Sequence, residues 1–274
     1  MPVLLNTAYF PPVEYFAVMV KDLSGTVHVA REDITGNRGR VPEEGGMHAA
    51  GPAGKDTGGC PEAFSGTPSR LSRQKVYIEA CENYQKQSYR NRCHFYSAAG
   101  LDSLSFPIVH TGGSHNNIPI KEVLVDYSVD WVTRHKRAIV SAYRMSAYFE
   151  YYSDALFAIL DSRPDTLFRL NRLITEFFIS RFGLPVELSE TSVFSPRGSS
   201  VYGTDYREAI HPKRPDNILR SLGLEKPYFQ VFSGKYGFIP HLSAMDLLFN
   251  EGPESIAYLC PAPSTLLPQG SCNV

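Results

Sequence analysis

Between residues 21 and 74 the chain gives up the apolar content that a core needs. Before this stretch stand a short apolar run, Val3 to Ala8, and "PPVEYFAVMV" at 11–20, where the proline pair sets the backbone for a helix start. Inside it, nine of the chain's 21 glycines fall between Gly36 and Gly66, mixed with Pro, Ser, Thr and charge. Such a segment cannot bury enough apolar area to offset its ordering entropy. It therefore reads as largely disordered, or as a long surface insertion. Order returns at "KVYIEA" (75–80), β-branched and aromatic enough for a buried strand.

Beyond that strand, "RCHFYSA" and "LDSLSFPIV" alternate on either side of Ala99-Gly100 and predict a hairpin. "IKEVLVDYS" (120–128) predicts another strand, with Val123 and Val125 on one face and Leu124 on the other. From Trp131 the period becomes helical. Trp131, His135, Ala138, Ile139 and Ala142 share one stripe, Arg134, Arg137, Ser141 and Arg144 another, and Asp130 is placed to cap. "FEYYSDALFAIL" gives a second helix, and "TLFRLNRLITEFFISRFG" (166–183) a third that Gly183 stops. "PVELSE" (185–190) follows as a strand, 192–216 as a polar loop, and a short helix capped by Ser243 closes at Gly252. Strands and helices interleave, so the fold class is α/β: one domain, a mixed sheet flanked by helices, interrupted by the 21–74 insertion.

Charge and cysteine content exclude several functions. The formal net charge is -1, which gives no overall field for nucleic acid or an anionic membrane surface, so anion recognition must be local. The cysteines (60, 81, 93, 260 and 272) are odd in number and lack CxxC spacing, which fits neither a disulfide framework nor structural zinc and points to the cytoplasm. His94, His110 and His115 also lack ligand spacing, so no metal is expected. No secretory leader and no transmembrane segment is predicted.

The unusual stretch is "ENYQKQSYRNRCHF" (82–95), dense in directional hydrogen-bonding groups between two apolar strands. Arg90 and Arg92 offer planar forks for phosphate or carboxylate, and Lys86 a mobile point charge. Asn83, Gln85 and Asn91 suit sugar hydroxyls or amides. The plainer alternative is a solvated segment whose arginines pair with Glu79, Glu82 or Asp102. His135 is the candidate general base, with Arg137 beside it; its plainer reading is a packed histidine bonded to a carbonyl. "DYREAIHPK" adds His211 and Lys213 as loop cations, with Asp205 and Arg207. Cys81 and Cys93 read as inert small hydrophobes rather than nucleophiles.

"AYFPPVEYFA" (8–17), "YIEACENYQKQSYRNRCHF" (77–95), the run from 118 to 154, "DYREAIHPK" (205–213) and "YFQVFSGKYGFIPHLSAMDLLFNEGP" (228–253) together resemble the WbqC-like family, in its Bacteroidetes branch. The shared pattern covers Tyr9, Pro11, Tyr15, Gln85, Arg90, Asn91, Arg92, Trp131, His135, Arg137, Tyr143 and Asn250. Lys136, Ala147 and His241 depart from it. The resemblance implies a place in O-antigen or other surface-polysaccharide assembly, as a transferase of glycine or another aminoacyl group to a nucleotide- or lipid-linked sugar. The partner expected is a small phosphorylated sugar or nucleotide sugar, with Tyr9 and Tyr15 among the orienting residues and no cofactor. The alternative is a non-catalytic glycan- or nucleotide-binding accessory protein.

Overall fold

The computed structural model describes residues 1–22, 73–109, 118–199, 201–214 and 217–260. Most of the predicted insertion, residues 23–72, lies outside them. In chain order the elements begin with β1 (Val3–Leu5), α1 (Val13–Val20), β2 (Gln74–Ile78), β3 (Arg92–Ser97) and β4 (Gly100–Ser105). Three longer helices follow, α2 (Trp131–Tyr143), α3 (Phe149–Asp161) and α4 (Leu167–Arg181), then β5 (Val186–Glu190) and β6 (Thr204–Asp205). Short helices complete the described chain: α5 (Ile218–Ser221), α6 (Ser233–Tyr236), α7 (Ala244–Glu251) and α8 (Ile256–Leu259).

Four strands form one parallel sheet in the order β5-β2-β1-β6, while β3 and β4 make a separate antiparallel hairpin. Parallel and antiparallel pairing are thus divided between two sheets flanked by helices. Every residue of β1 is buried, as a parallel strand covered on both faces requires. All eight residues of α1 are buried too, so it is a core helix rather than a surface one. Its start is pinned by a bridge between Pro12 and Ser243, with Val13 N donating to Leu242 O at 3.0 Å and Ala244 N to Pro11 O at 2.8 Å.

The helix boundaries follow local chemistry. Asp130 accepts from Thr133 N, Thr166 from Arg169 N and Ser243 from Met245 N, each supplying an acceptor to an otherwise orphaned amide. Gly183 (φ 63°) and Gly252 (φ 53°) turn the chain out of α4 and α7. Residues 120–128 do not form the expected strand. Ile120–Glu122 is a 3-10 turn, and Leu124 and Val125 make only isolated bridges to Thr166 and Ile108. The expected alternation survives, with Val123 and Val125 buried and Leu124 exposed; a continuous strand partner is what is missing.

β6 also differs from the expectation of a loop over 192–216. Gly203 (φ 92°) brings the chain so close to β1 that a Cβ there would lie 2.0 Å from Pro2 O. Thr204 N then donates to Pro2 O at 3.0 Å and Tyr206 N to Leu4 O at 2.9 Å. Gly203→Ala is therefore expected to lose about 1–3 kcal/mol, from the positive φ and the backbone clash together. Denaturant unfolding would measure it, and a loss indistinguishable from zero would mean β6 is not held against β1 in solution.

Candidate functional site

Numbered by appearance, the parallel strands run third, second, first, fourth across the sheet, because the chain crosses from β5 to the far side of β1. The order reverses between β1 and β6, and in open α/β sheets ligands bind outside the carboxyl ends of the strands at such a point. A cleft of about 630 Å3 lies there. Asn6 follows β1, the Cys81–Lys86 segment follows β2, Phe194 and Arg197 sit on the loop after β5, and Asp205, Arg207 and Glu208 come from β6 and its exit. Arg90 completes the lining.

Beneath this opening runs a network of buried ion pairs. Glu79 is fully buried; its Oε1 accepts from Cys81 N (2.9 Å) and the Thr191 hydroxyl (2.6 Å), and its Oε2 from Arg207 Nη1 (2.7 Å) and Ser195 N (3.3 Å). Arg207 also donates Nε and Nη2 to Asp205, at 3.0 and 2.7 Å, and Nη2 to Ser195 O at 2.7 Å. Burial pushes Asp205 up, but the hydrogen bonds and charge of Arg207 outweigh it and hold its carboxyl below the ordinary value. Arg90 forks onto Glu82, with Nε to Oε1 at 2.9 Å and Nη2 to Oε2 at 2.5 Å. Here burial wins over the guanidinium, and the Glu82 carboxyl is raised. The two guanidiniums are spent on the protein's own carboxylates, which fixes the cleft wall. The groups left to meet a ligand are exposed: Asn83, Gln85, Lys86 and the ring of Phe194.

Four of the sequence-predicted residues therefore share the cleft: Asn83, Gln85, Lys86 and Arg90. Tyr15 and His211 line a small adjoining void, with Arg90 on their shared wall. Tyr15 donates its hydroxyl to Asn6 O at 2.6 Å, His211 accepts from Lys213 N at 3.2 Å, and the Lys213 ammonium bonds the Gln87 side chain. Lys213 and the other five lie outside both linings. Asn91 donates Nδ2 to Phe106 O at 2.9 Å, tying the hairpin, and Arg92 begins β3 opposite Ser105. Arg137 is exposed on α2.

Tyr9 and His135 form a buried pair at 2.8 Å inside an aromatic cluster with Phe106 and Trp131. His135 Nε2 lies 3.2 Å from Ser105 O, which can only accept, so Nε2 carries the proton and Nδ1 accepts from the Tyr9 hydroxyl. Burial lowers the ring's pKa to about 4, against the bond to Ser105 that favours charge. The candidate base thus has both nitrogens occupied and does not line the cleft. Asn6, Glu79, Glu82, Phe194, Arg197 and Glu208 are the site residues that sequence reasoning did not select, and Asp205 and Arg207 entered it only as companions of His211 and Lys213 in a loop. Among them only the acid–arginine pairing of Glu82 with Arg90 matches an alternative weighed there. Among the described residues, no group of three or more His, Cys, Asp or Glu side chains could hold a metal ion.

A family model described as the WbqC-like protein family matches residues 72–210, just over half of the chain, and that span holds every cleft residue except Asn6. A protein of Mycobacterium tuberculosis (strain ATCC 25618 / H37Rv), "Uncharacterized protein Rv1507c", is 26% identical over 195 residues, covering 64% of this chain and 83% of its own length. No solved structure matches.

Proposed function

Because the chain belongs to the WbqC-like protein family, we propose that its cleft binds a phosphorylated sugar, nucleotide- or lipid-linked, and that the protein transfers a group, an aminoacyl group in the fullest form of the proposal, during surface-polysaccharide assembly. The observation that carries the proposal is the composition of the cleft at the strand switch point. An exposed aromatic ring, Phe194, stands beside planar amides, carboxylates and guanidiniums, the set that reads sugar hydroxyls and stacks on a sugar face. Lys86 is the mobile cation for phosphate, and Asn83 and Gln85 are the hydroxyl-reading groups. Arg90 and Arg207, locked onto carboxylates, act as rigid supports.

In the transfer step an amine or hydroxyl of the sugar attacks the carbonyl of an activated acyl donor, gives up its proton and expels the donor's leaving group. Glu82, a lining carboxylate whose affinity for a proton burial raises, takes that proton on a lone pair that its fork with Arg90 leaves open. His135 keeps a packing role. A specific observation favours the second reading, a non-catalytic accessory protein: each of the two buried arginines of the cleft is already neutralised by protein carboxylates.

Thermal-shift and calorimetric titrations with UDP-glucose, GDP-mannose and dTDP-glucose test the site, because a ligand that binds only the folded state raises apparent stability. Lys86→Ala and Phe194→Ala are each expected to weaken the binding found by about tenfold. Glu82→Gln separates the two readings: a transferase loses turnover and keeps its ligand, while an accessory protein shows no turnover to lose. Binding that ignores both Lys86→Ala and Phe194→Ala would remove the cleft as the site.

A further inference from the structure

The outward face of α2 carries a second feature, with lining residues separate from those of the cleft. Arg134, Arg137, Ser141 and Arg144 recur at spacings of three, four and three, which puts them on one stripe. Arg137, Ser141 and Arg144 border an open groove of about 620 Å3 between α2 and α3, and Val140 and Phe157 give it apolar surface. Thr133 and Lys136 complete it, so the groove has two hydroxyls, three cations and no carboxylate in its lining.

Two of the surrounding cations are already engaged. Lys136 Nζ reaches Asp161 Oδ1 and Oδ2 at 3.0 and 2.7 Å and lies 5.4 Å from the Phe157 ring, while Arg134 Nε donates to Asp130 O at 3.3 Å. Arg137 and Arg144 are exposed, and among the described residues neither has a hydrogen-bonded or ion-paired side-chain partner. The exposed carboxylate that senses Arg137, Asp130 at the helix start, does so as the weakest of several influences on it. The two arginines are attached about two turns apart, about 10.5 Å along the axis between their backbone positions, with Ser141 between them in sequence. Like charges held on one face without a counter-charge repel, and an anion between them removes that cost. The separation exceeds one phosphate but lies within the reach of two long side chains closing on adjacent phosphates.

We propose that this groove is a second anion site, which takes a diphosphate or closely spaced phosphate groups carried by a ligand whose apolar part lies along Val140 and Phe157. Arginine forks supply bidentate recognition of the phosphate oxygens, and Ser141 and Thr133 donate between them. The site stands apart from the cleft, so either can fail without the other.

Two arms on the full chain separate a free phosphate ligand from a lipid headgroup. Pyrophosphate is titrated by calorimetry at low salt, and vesicles of phosphatidylcholine with and without phosphatidylglycerol are used in sedimentation. Binding of pyrophosphate identifies a soluble diphosphate; binding only to the phosphatidylglycerol vesicles identifies the phosphate of a headgroup. In either case Arg137→Ala and Arg144→Ala should each weaken binding about tenfold, and Arg137→Lys, which keeps charge without the fork, by less. Affinity should also fall as salt rises. Both arginines are solvent-exposed, so an unshifted thermal midpoint will show that the variants are folded. The proposal is overturned if neither probe binds, or if the Arg137→Ala and Arg144→Ala double variant binds as the parent does.

Discussion

Arg207→Ala is expected to destabilise the protein by about 3–5 kcal/mol, the range seen when one partner of a buried ion pair is removed and the other is left behind. The size follows from Glu79, which is 0% exposed and, among the described residues, takes its only cationic hydrogen bond from Arg207. The remaining donors, Cys81 N, the Thr191 hydroxyl and Ser195 N, are neutral and cannot balance its charge. Asp205 and the Ser195 carbonyl lose their guanidinium contacts in the same step. Denaturant unfolding at neutral pH measures the loss, and Glu79→Gln supplies the control. In the Arg207→Ala background it removes the stranded charge and should recover a large part of the loss, whereas alone it should be destabilising because it unbalances Arg207. A loss for Arg207→Ala below about 1 kcal/mol would mean that water reaches Glu79 in solution, as it does at exposed pairs. Arg90→Ala should behave similarly, since Arg90 is 2% exposed and Glu82 6% exposed.

The same network shows where the sequence was legible and where it was not. The helices from Trp131 to Arg181 follow from an unbroken 3.6-residue period, side-chain caps at Asp130 and Thr166, and a glycine stop at Gly183, all local signals. The hairpin Arg92–Ser105 is equally local, with its turn at Ala98-Ala99, one residue before the pair that marks it in the sequence. The cleft is not local. Its charges come from positions 79, 82, 90, 205 and 207, which meet only because the chain crosses the sheet to place β6 beside β1. β6 has two residues, too few to register as a period, and depends on the close approach at Gly203.

The polar stretch 82–95 was legible as a dense run of hydrogen-bonding groups, and Asn83, Gln85, Lys86 and Arg90 line the cleft, but its internal division was not legible. Alternation would align Arg90 with Arg92, yet β3 begins only at Arg92, and Arg90 lies in the preceding turn with its fork directed to Glu82. His135 shows a different limit. Its place on the apolar stripe of α2 was visible, but whether an apolar-face histidine lines a cleft or closes a core depends on Tyr9 and Ser105, both distant in sequence.

Between about pH 6.5 and pH 4 two buried groups should pull the stability in opposite directions, so the parent protein is expected to be far less acid-sensitive in this window than either group alone would make it. His135 has its pKa lowered by burial from 6.5 to about 4, so across this range the unfolded chain is protonated there and the native one is not. Its contribution is present above pH 6.5 and lost as the pH falls towards 4. Asp246, fully buried, has its pKa raised by burial from 3.8 to about 6, although the Tyr228 hydroxyl at 2.8 Å and Gln230 Nε2 at 2.9 Å donate to it and oppose the rise. There the native state holds a proton that the unfolded chain has released, so its contribution is present below pH 3.8 and lost as the pH rises through 6. At about 1.4 kcal/mol for each pH unit of displacement, either effect amounts to about 3 kcal/mol. Asp246→Asn removes the acid-side gain and leaves the His135 loss, so its stability should fall steeply below pH 6. His135→Gln, which can still donate to Ser105 O, removes the loss, so its stability should rise as the pH drops from 6.5 to 4. Unfolding free energies measured in half-unit pH steps would show the two variants diverging from the parent with opposite slopes, and other titrating groups cancel in those differences. Parallel curves for all three proteins would mean that neither interior is as dry as its contacts indicate.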